Sequence, residues 1–482
     1  MRRHLAVAFA MCISNPIHAQ SIELPDIGDP SQQYLGPSDE LRIGQAIIAK
    51  ARDRDLIMDD PLATEYLEAL GNRIAINSNG ATNPFHFFWV KDGTLNAFAL
   101  PGGFIGVNIG LMLATKNESE LAGVVAHEIA HVAQHHITRS YADQQSMSVP
   151  MMAAMLAGMA VAAASGSSGG QLGQAVAAGS IAMGAQRQIS FTRAAEQEAD
   201  RIGSDLLKRA GYDPNGLTSF FSRLENLTGA AAQIPEFLRS HPLVINRMAD
   251  TQARTDTKST RRSAGDEALY RLIRERLRVL ASDNAPQLVR DYEARLASGG
   301  NDADRYGYAL ALARSNHLDA AAAEIARLRR SSSDSLPLRL EEASISLTRG
   351  ETSAAWEQFE TARRLYPSDY TLAIIYGEAL ITRGDPRLAA SLLDNQLRRH
   401  SDRPELFELY ARASERKGDV AGKYLAMTEY YMLSGNLKAA AEQAEIGVRT
   451  GVGTPQQQAQ LRARLTELKR LRGQQKSDTL LR

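Results

Sequence analysis

Asparagine or glycine recurs at a constant 34-residue interval in the C-terminal half of the chain, at Asn316, Gly350, Gly384 and Gly418. Both residue types tolerate the left-handed backbone that ends a helix, so each position reads as a turn between two helices. In the clearest copy, Leu336 to Asp369, the residues Ala355, Phe359 and Ala362 share one helical face and Pro367 closes the unit. The next copy carries Gly377, Gly384 and Ala389, and degenerate flanking copies keep Ala321 and Ile325, or Ala411 and Met427. A unit of this kind cannot bury its apolar face alone, so the copies must stack on one another.

Thirty-four residues is the tetratricopeptide length, which predicts an all-α tetratricopeptide solenoid over residues 265–482. Stacked helix pairs form a curved groove that binds another protein, unless the array serves only as a structural tail. Gly435-Asn-Leu-Lys-Ala-Ala opens a further helix after half a period, as a shortened capping unit would, and the polar tail after Gly473 is expected to fray. A polar run between Thr251 and Ala264 marks the boundary with what precedes, and one charged helical stretch from Glu267 to about Ala297 leads into the repeats.

The N-terminal half is constrained by Leu121-Ala-Gly-Val-Val-Ala-His127-Glu128-Ile-Ala-His131. Residues i and i+4 of a helix project from one face, so His127 and His131 can grip one metal ion, with Glu128 beside it as a base. Peptide hydrolysis needs those parts: a Lewis acid to polarise the carbonyl and a group to take the proton of water. Asn117 and Glu120 predict a capping box ahead of a buried helix. The alternative is a pair of core histidines with no ligand. A catalytic zinc takes a third protein ligand, and Glu196-Gln-Glu-Ala-Asp200 offers Glu196, with Asp200 placed to bond the outer nitrogen of a ligand histidine while Glu198 points elsewhere. His135 and His136 read as supporting or surface residues, and His86, His317 and His400 stand in no constellation.

These elements together resemble the HtpX and CAAX-prenyl-protease superfamily of glutamate-zincins. Asn96-Ala-Phe98-Ala-Leu100-Pro-Gly-Gly103-Phe-Ile-Gly-Val-Asn108 is similar to that family's edge strand and turn, which implies substrate contacts at Asn96 and Phe98 by strand addition. Ser240-His241-Pro242, followed by Asn246-Arg247, is similar to the family's histidine-proline motif. His241 either donates a hydrogen bond to a tetrahedral oxyanion or fills the open metal position. Arg247 holds a substrate carboxylate or the intermediate, or else makes a structural salt bridge. The expected architecture is an α+β zincin-like metalloprotease domain, mainly helical with a small sheet, over residues 20–264, followed by the solenoid.

Basic and acidic residues balance at 55 each, with no basic excess of the kind nucleic-acid binding leaves. Met1-Arg-Arg-His precedes a short apolar stretch ending near Ala19, the pattern of a secretory signal over residues 1–19, and the one cysteine, Cys12, lies inside it. A thiol-free exported chain suits the bacterial periplasm. Residues 149–185 are rich in Met, Ala, Ser and Gly and too interrupted to span a bilayer; loosely packed helices or a lid are the expectation, and peripheral contact with a membrane or with unfolded apolar substrate is the alternative use of the segment. The combination of signal, zincin and repeats resembles the BepA type of periplasmic metalloprotease. That resemblance implies one zinc ion per chain, stalled or unfolded outer-membrane proteins as substrates, and the β-barrel assembly machinery as partner of the repeats. The competing reading is a non-proteolytic chaperone or adaptor with a latent metal site.

Overall fold

The computed structural model describes residues 35–81, 83–143, 193–228, 236–241, 265–331 and 335–480. The predicted signal, the segment 149–185, Pro242, Asn246, Arg247 and the run 251–264 lie outside the described residues. The described chain is mainly helical with one three-stranded sheet.

Helix α1 spans Pro37–Asp53 and α2 spans Pro61–Ala75. Asp60 caps α2, accepting from the Ala63 amide at 3.0 Å ahead of a proline that needs no partner. The sheet follows: β1, His86–Val90; β2, Ala97–Leu100; β3, Phe104–Asn108. Its order is β1-β3-β2, with β1 parallel and β2 antiparallel to β3, which leaves β2 at one edge. Pro101-Gly102-Gly103 turns β2 into β3, and both glycines take positive φ, +81° and +86°, where a β-carbon would be strained. Alternation then sorts the sheet into two faces. Phe88, Phe98 and Leu100 pack with Ile43, Ile47 and Ile48 of α1. Phe87, Trp89, Ala97, Ile105 and Val107 join α2 in the main core, where Trp89 is fully buried and its indole N–H donates to the Ala63 carbonyl at 2.8 Å.

Beyond the short α3 (Ile109–Ala114) lies α4 (Glu118–Ala133), enclosed by α2, the sheet, α6 (Arg193–Arg209) and α7 (Gly216–Thr228). A helix surrounded in this way must be apolar wherever it has no polar partner, and from Leu121 to Ala133 the only polar side chains are His127, Glu128 and His131. The cap at its start differs in one detail from a capping box: Asn117 accepts from the Glu120 amide at 3.0 Å, but the Glu120 carboxylate reaches past it to the Lys116 amide at 2.8 Å. Two glycines let the neighbours approach. A β-carbon on Gly203 of α6 would sit 3.1 Å from the Ala126 and His127 backbone, and one on Gly123 would meet the Leu217 amide at 2.5 Å. Helix α5 spans His136–Asp143 and α8 spans Glu236–Ser240.

The expected helical stretch from Glu267 is two helices, α9 (Glu267–Leu280) and α10 (Ala285–Ala297), parted where Asn284 and Pro286 start a new helix. Tyr270, Ile273 and Leu277 of α9 sink into the same core as α2 and α4, and the Tyr270 hydroxyl bonds the Thr115 carbonyl at 2.8 Å. Arg276 of α9 grips both carboxylate oxygens of Asp60 at 2.8 Å and Glu341 at 3.0 Å.

Antiparallel helices continue as α11 (Asp302–Arg314), α12 (Leu318–Ser331), α13 (Leu336–Thr348), α14 (Thr352–Leu365), α15 (Tyr370–Arg383), α16 (Pro386–Leu397), α17 (Pro404–Arg416), α18 (Val420–Leu433), α19 (Leu437–Thr450) and α20 (Pro455–Leu480). Asn316, Gly350, Gly384 and Gly418 each fall in the turn of one pair; all but Gly384 have positive φ. The polar tail stays helical to Leu480 rather than fraying after Gly473. The array returns to the N-terminal half. Helix α15 packs on α2, Arg403 reaches Glu65 at 3.7 Å, and Gln45 of α1 bonds the Leu433 carbonyl at 3.0 Å. Among the described residues, no helix is long and apolar enough to cross a membrane.

Candidate metal centre

His127 and His131 leave the same face of α4, Glu196 comes from the first turn of α6, and His241 follows the short helix α8. The four are essentially inaccessible to solvent, and one donor atom from each lies within 4.8 Å of all the others. His127 Nε2 stands 3.0 Å from His131 Nε2 and 3.3 Å from His241 Nδ1; Glu196 Oε1 stands 3.0 Å from His241 Nδ1 and 3.5 Å from His131 Nε2. Donors at about 2.0–2.1 Å from a tetrahedral zinc are separated by about 3.4 Å along each edge. The spacing and the nitrogen–oxygen donor set therefore fit one small divalent cation, with all four corners supplied by protein.

The carboxylates set the charge of this centre. Burial alone would lower the His127 pKa, but its bonds to Asp200 and Glu196 outweigh that and raise it to about 10. Asp200 lies one turn beyond Glu196 and meets His127 Nδ1 at 2.9 Å, leaving Nε2 facing the cluster. Burial would raise Glu196, yet the His241 charge and the bonds from His127 and His241 hold it far below the usual carboxylate range. His131 is driven well down by burial and by its positive neighbour His127, so it stays a neutral imidazole with a lone pair to give.

Glu128 projects beside the cluster. Its buried oxygens make no hydrogen bond of ordinary geometry to the described residues, the Ala99 amide being a weaker contact; Oε1 is 3.5 Å from His241 Nε2. Burial raises its pKa, opposed by the charges of His241 and His127 and by the Ala99 amide on β2. A carboxylate with unsatisfied lone pairs and raised basicity next to a cation site can accept a proton from water.

The other expected positions divide. Asn96 is buried immediately before β2; its carbonyl accepts from Asn108 at 3.0 Å and its side-chain oxygen is unpartnered among the described residues. Phe98 turns from the metal cluster and meets Phe88 edge-on at 6.0 Å, so its side chain supports the strand from behind. Phe237 carries no signal in the sequence, whereas His136, expected as a supporting or surface residue, takes the supporting place. Phe237 lies one turn before His241, its ring tilted against the imidazole with centroids 4.8 Å apart, and its amide donates to the Leu95 carbonyl at 3.0 Å, tying the histidine to the lead-in of β2. His136 bonds His131, which the sequence hints at only by a histidine five residues past the motif.

Comparison with known proteins agrees with this chemistry. Residues 61–255 match the model of peptidase family M48. The β-barrel assembly-enhancing protease of Escherichia coli (strain K12) is 30% identical over 467 residues, covering 95% of this chain and 93% of that one. Its namesake from Yersinia pestis is 30% identical over 93% of this chain and 92% of its own length. Metalloprotease LoiP of Escherichia coli (strain K12) is 33% identical over 171 residues, 35% of this chain and 62% of that one. On the family match and the near-full-length identity together, the chain is a metalloendopeptidase that belongs to peptidase family M48.

Proposed function

We propose that the chain is a periplasmic zinc endopeptidase that degrades misassembled outer-membrane proteins and assists the maturation of others. The observation that carries the reading is the four-donor cluster with Glu128 aimed beside it. In this reading His127, His131 and Glu196 hold one zinc ion, residues 20–264 form the zincin-like peptidase, and residues 265–482 form a tetratricopeptide solenoid that docks assembly machinery. Zinc is favoured by a donor set of imidazoles and carboxylate in tetrahedral spacing. Residues 1–19 serve as export signal, supported by their charged start and apolar stretch. The names of the near-full-length relatives support the link to β-barrel assembly.

Bound zinc would supply a Lewis acid that polarises the scissile carbonyl and makes water easier to deprotonate. Glu128 takes the proton of the attacking water and returns it to the leaving amine. Asp200 fixes the tautomer of His127. Asn96 and the edge strand β2 align an extended substrate by main-chain hydrogen bonds, with Phe98 bracing the strand from the opposite face. His241 would be a further donor to the metal in the resting state and would move aside to admit substrate; its bond with Glu196 and its link through Phe237 to Leu95 support that role. Arg247 remains a proposed substrate contact on sequence grounds.

The test is proteolysis of an unfolded outer-membrane barrel protein by wild type, Glu128→Gln and His241→Ala, with zinc measured in each. Cleavage lost in Glu128→Gln with zinc retained, and accelerated in His241→Ala, is the expected result. No cleavage by any zinc-loaded form would replace this reading with that of a non-proteolytic adaptor.

A further inference from the structure

The two ligand histidines of α4 are supported differently. His127 meets a carboxylate directly through Asp200, whereas His131 Nδ1 faces a second imidazole, His136 Nδ1, at 2.9 Å. His136 Nε2 in turn lies 3.2 Å from Glu198 Oε2, and Arg139 approaches the same oxygen at 3.8 Å. His136 is buried, while Glu198 is 36% exposed at the outer end of the chain of contacts. His135 takes a positive φ of +53°, and this turn brings His136 back against α4 instead of leading the chain away.

We propose that His136 and Glu198 are positioning residues for the metal ligand His131, acting as a histidine–carboxylate relay; the inference rests on the zinc reading of the centre. The chemistry fixes the direction of each bond. An imidazole that gives its Nε2 lone pair to a cation carries its proton on Nδ1, so His131 donates to His136 Nδ1. His136 then bears its own proton on Nε2 and donates it to the Glu198 carboxylate. One tautomer at each ring satisfies the whole line, and the ring plane of His131 is set from outside the centre. Helix α6 thereby supplies three carboxylates with three tasks: Glu196 faces the donors, Asp200 orients His127, and Glu198, on the opposite side of the helix, orients His131 through a histidine from the next element.

The relay makes a prediction that a merely structural histidine would not. Zinc affinity is measured by chelator competition on full-length wild type, His136→Phe, His136→Gln, Glu198→Ala and Glu198→Gln. Phenylalanine keeps ring bulk but offers no acceptor, and should weaken zinc binding about 10–100-fold. Glutamine restores an acceptor and should recover most of the loss. Glu198→Ala should weaken binding several-fold and Glu198→Gln less; because this position is partly exposed, both variants fold even if the buried substitutions do not. Cobalt substituted for zinc should show an altered absorption band in His136→Phe and a near-native one in His136→Gln. If the wild type binds zinc but His136→Phe and Glu198→Ala bind it within twofold of wild type, the relay is wrong and the zinc reading stands. If wild type binds no zinc, both are wrong.

Discussion

Glu68 is a carboxylate in the wrong solvent, and its cost can be read as a function of pH. It lies on α2 beneath the returning repeats, 8% exposed, accepting from the Phe87 amide at 3.2 Å and from Asn72 at 3.1 Å. Burial raises its pKa to about 7, only partly countered by the Arg403 charge and the Phe87 amide, and reinforced by Glu65 and Glu405. In the unfolded chain a glutamate titrates near 4.5. Between those values the folded state holds a proton that the unfolded state has released, so the group favours folding below pH 4.5 and that contribution is lost as pH rises through about 7. Over the interval from about pH 5 to about pH 8 the integrated loss is about 2.5 kcal/mol. Glu68→Gln keeps one oxygen acceptor and removes the titration. Urea unfolding of both proteins across that range, with equal m-values, should show the variant gaining on wild type by roughly that amount as pH increases. A stability difference constant to within about 0.5 kcal/mol over the whole range would refute the argument, because a group with no shift contributes no slope.

Two further perturbations address the seams of the molecule. Arg276→Met removes the cation that Asp60 and Glu341 share, leaving the buried Asp60 and the half-buried Glu341 without it, and should cost about 3 kcal/mol in denaturant unfolding, against less than about 1 if the pairs are merely superficial. Stripping the centre with a chelator should lower stability by about 4 kcal/mol relative to protein in free zinc at a thousandfold excess over its dissociation constant, and readdition should restore it; a melting temperature indifferent to zinc would contradict a buried metal linked to the fold.

What sequence made legible was whatever is local. The interval of 34 residues put Asn316, Gly350 and Gly418 in turns because a positive φ is a demand on one residue, and the motif put His127 and His131 on one face because α-helical geometry fixes i and i+4. The single stretch expected from Glu267 breaks at Asn284 because an asparagine cap with proline in the first turn starts a new helix, a stronger local signal than charge composition. The tail beyond Gly473 is helical because it extends the long helix that starts at Pro455, and adding residues to an existing helix needs no new nucleus. A supporting place for His136 was within reach of the sequence, but its contact with Glu198 was not: it depends on α5 being turned back beside α6, and no spacing along the chain encodes contact between residues 136 and 198. Packing of α9 into the core of α2 and α4 was likewise a matter of assembly rather than of pattern.

A strand at the rim of a sheet presents only peptide groups, which every sequence possesses. If β2 receives a substrate, what it reads is geometry: a stretch of chain free to lie extended, with its own amides not yet spoken for. A finished barrel has no such stretch, since closure pairs each strand on both sides, whereas an arrested one exposes two. Discrimination between sound and faulty clients would then require no recognition code at all, and Phe98, pressed against Phe88, keeps that ruler straight.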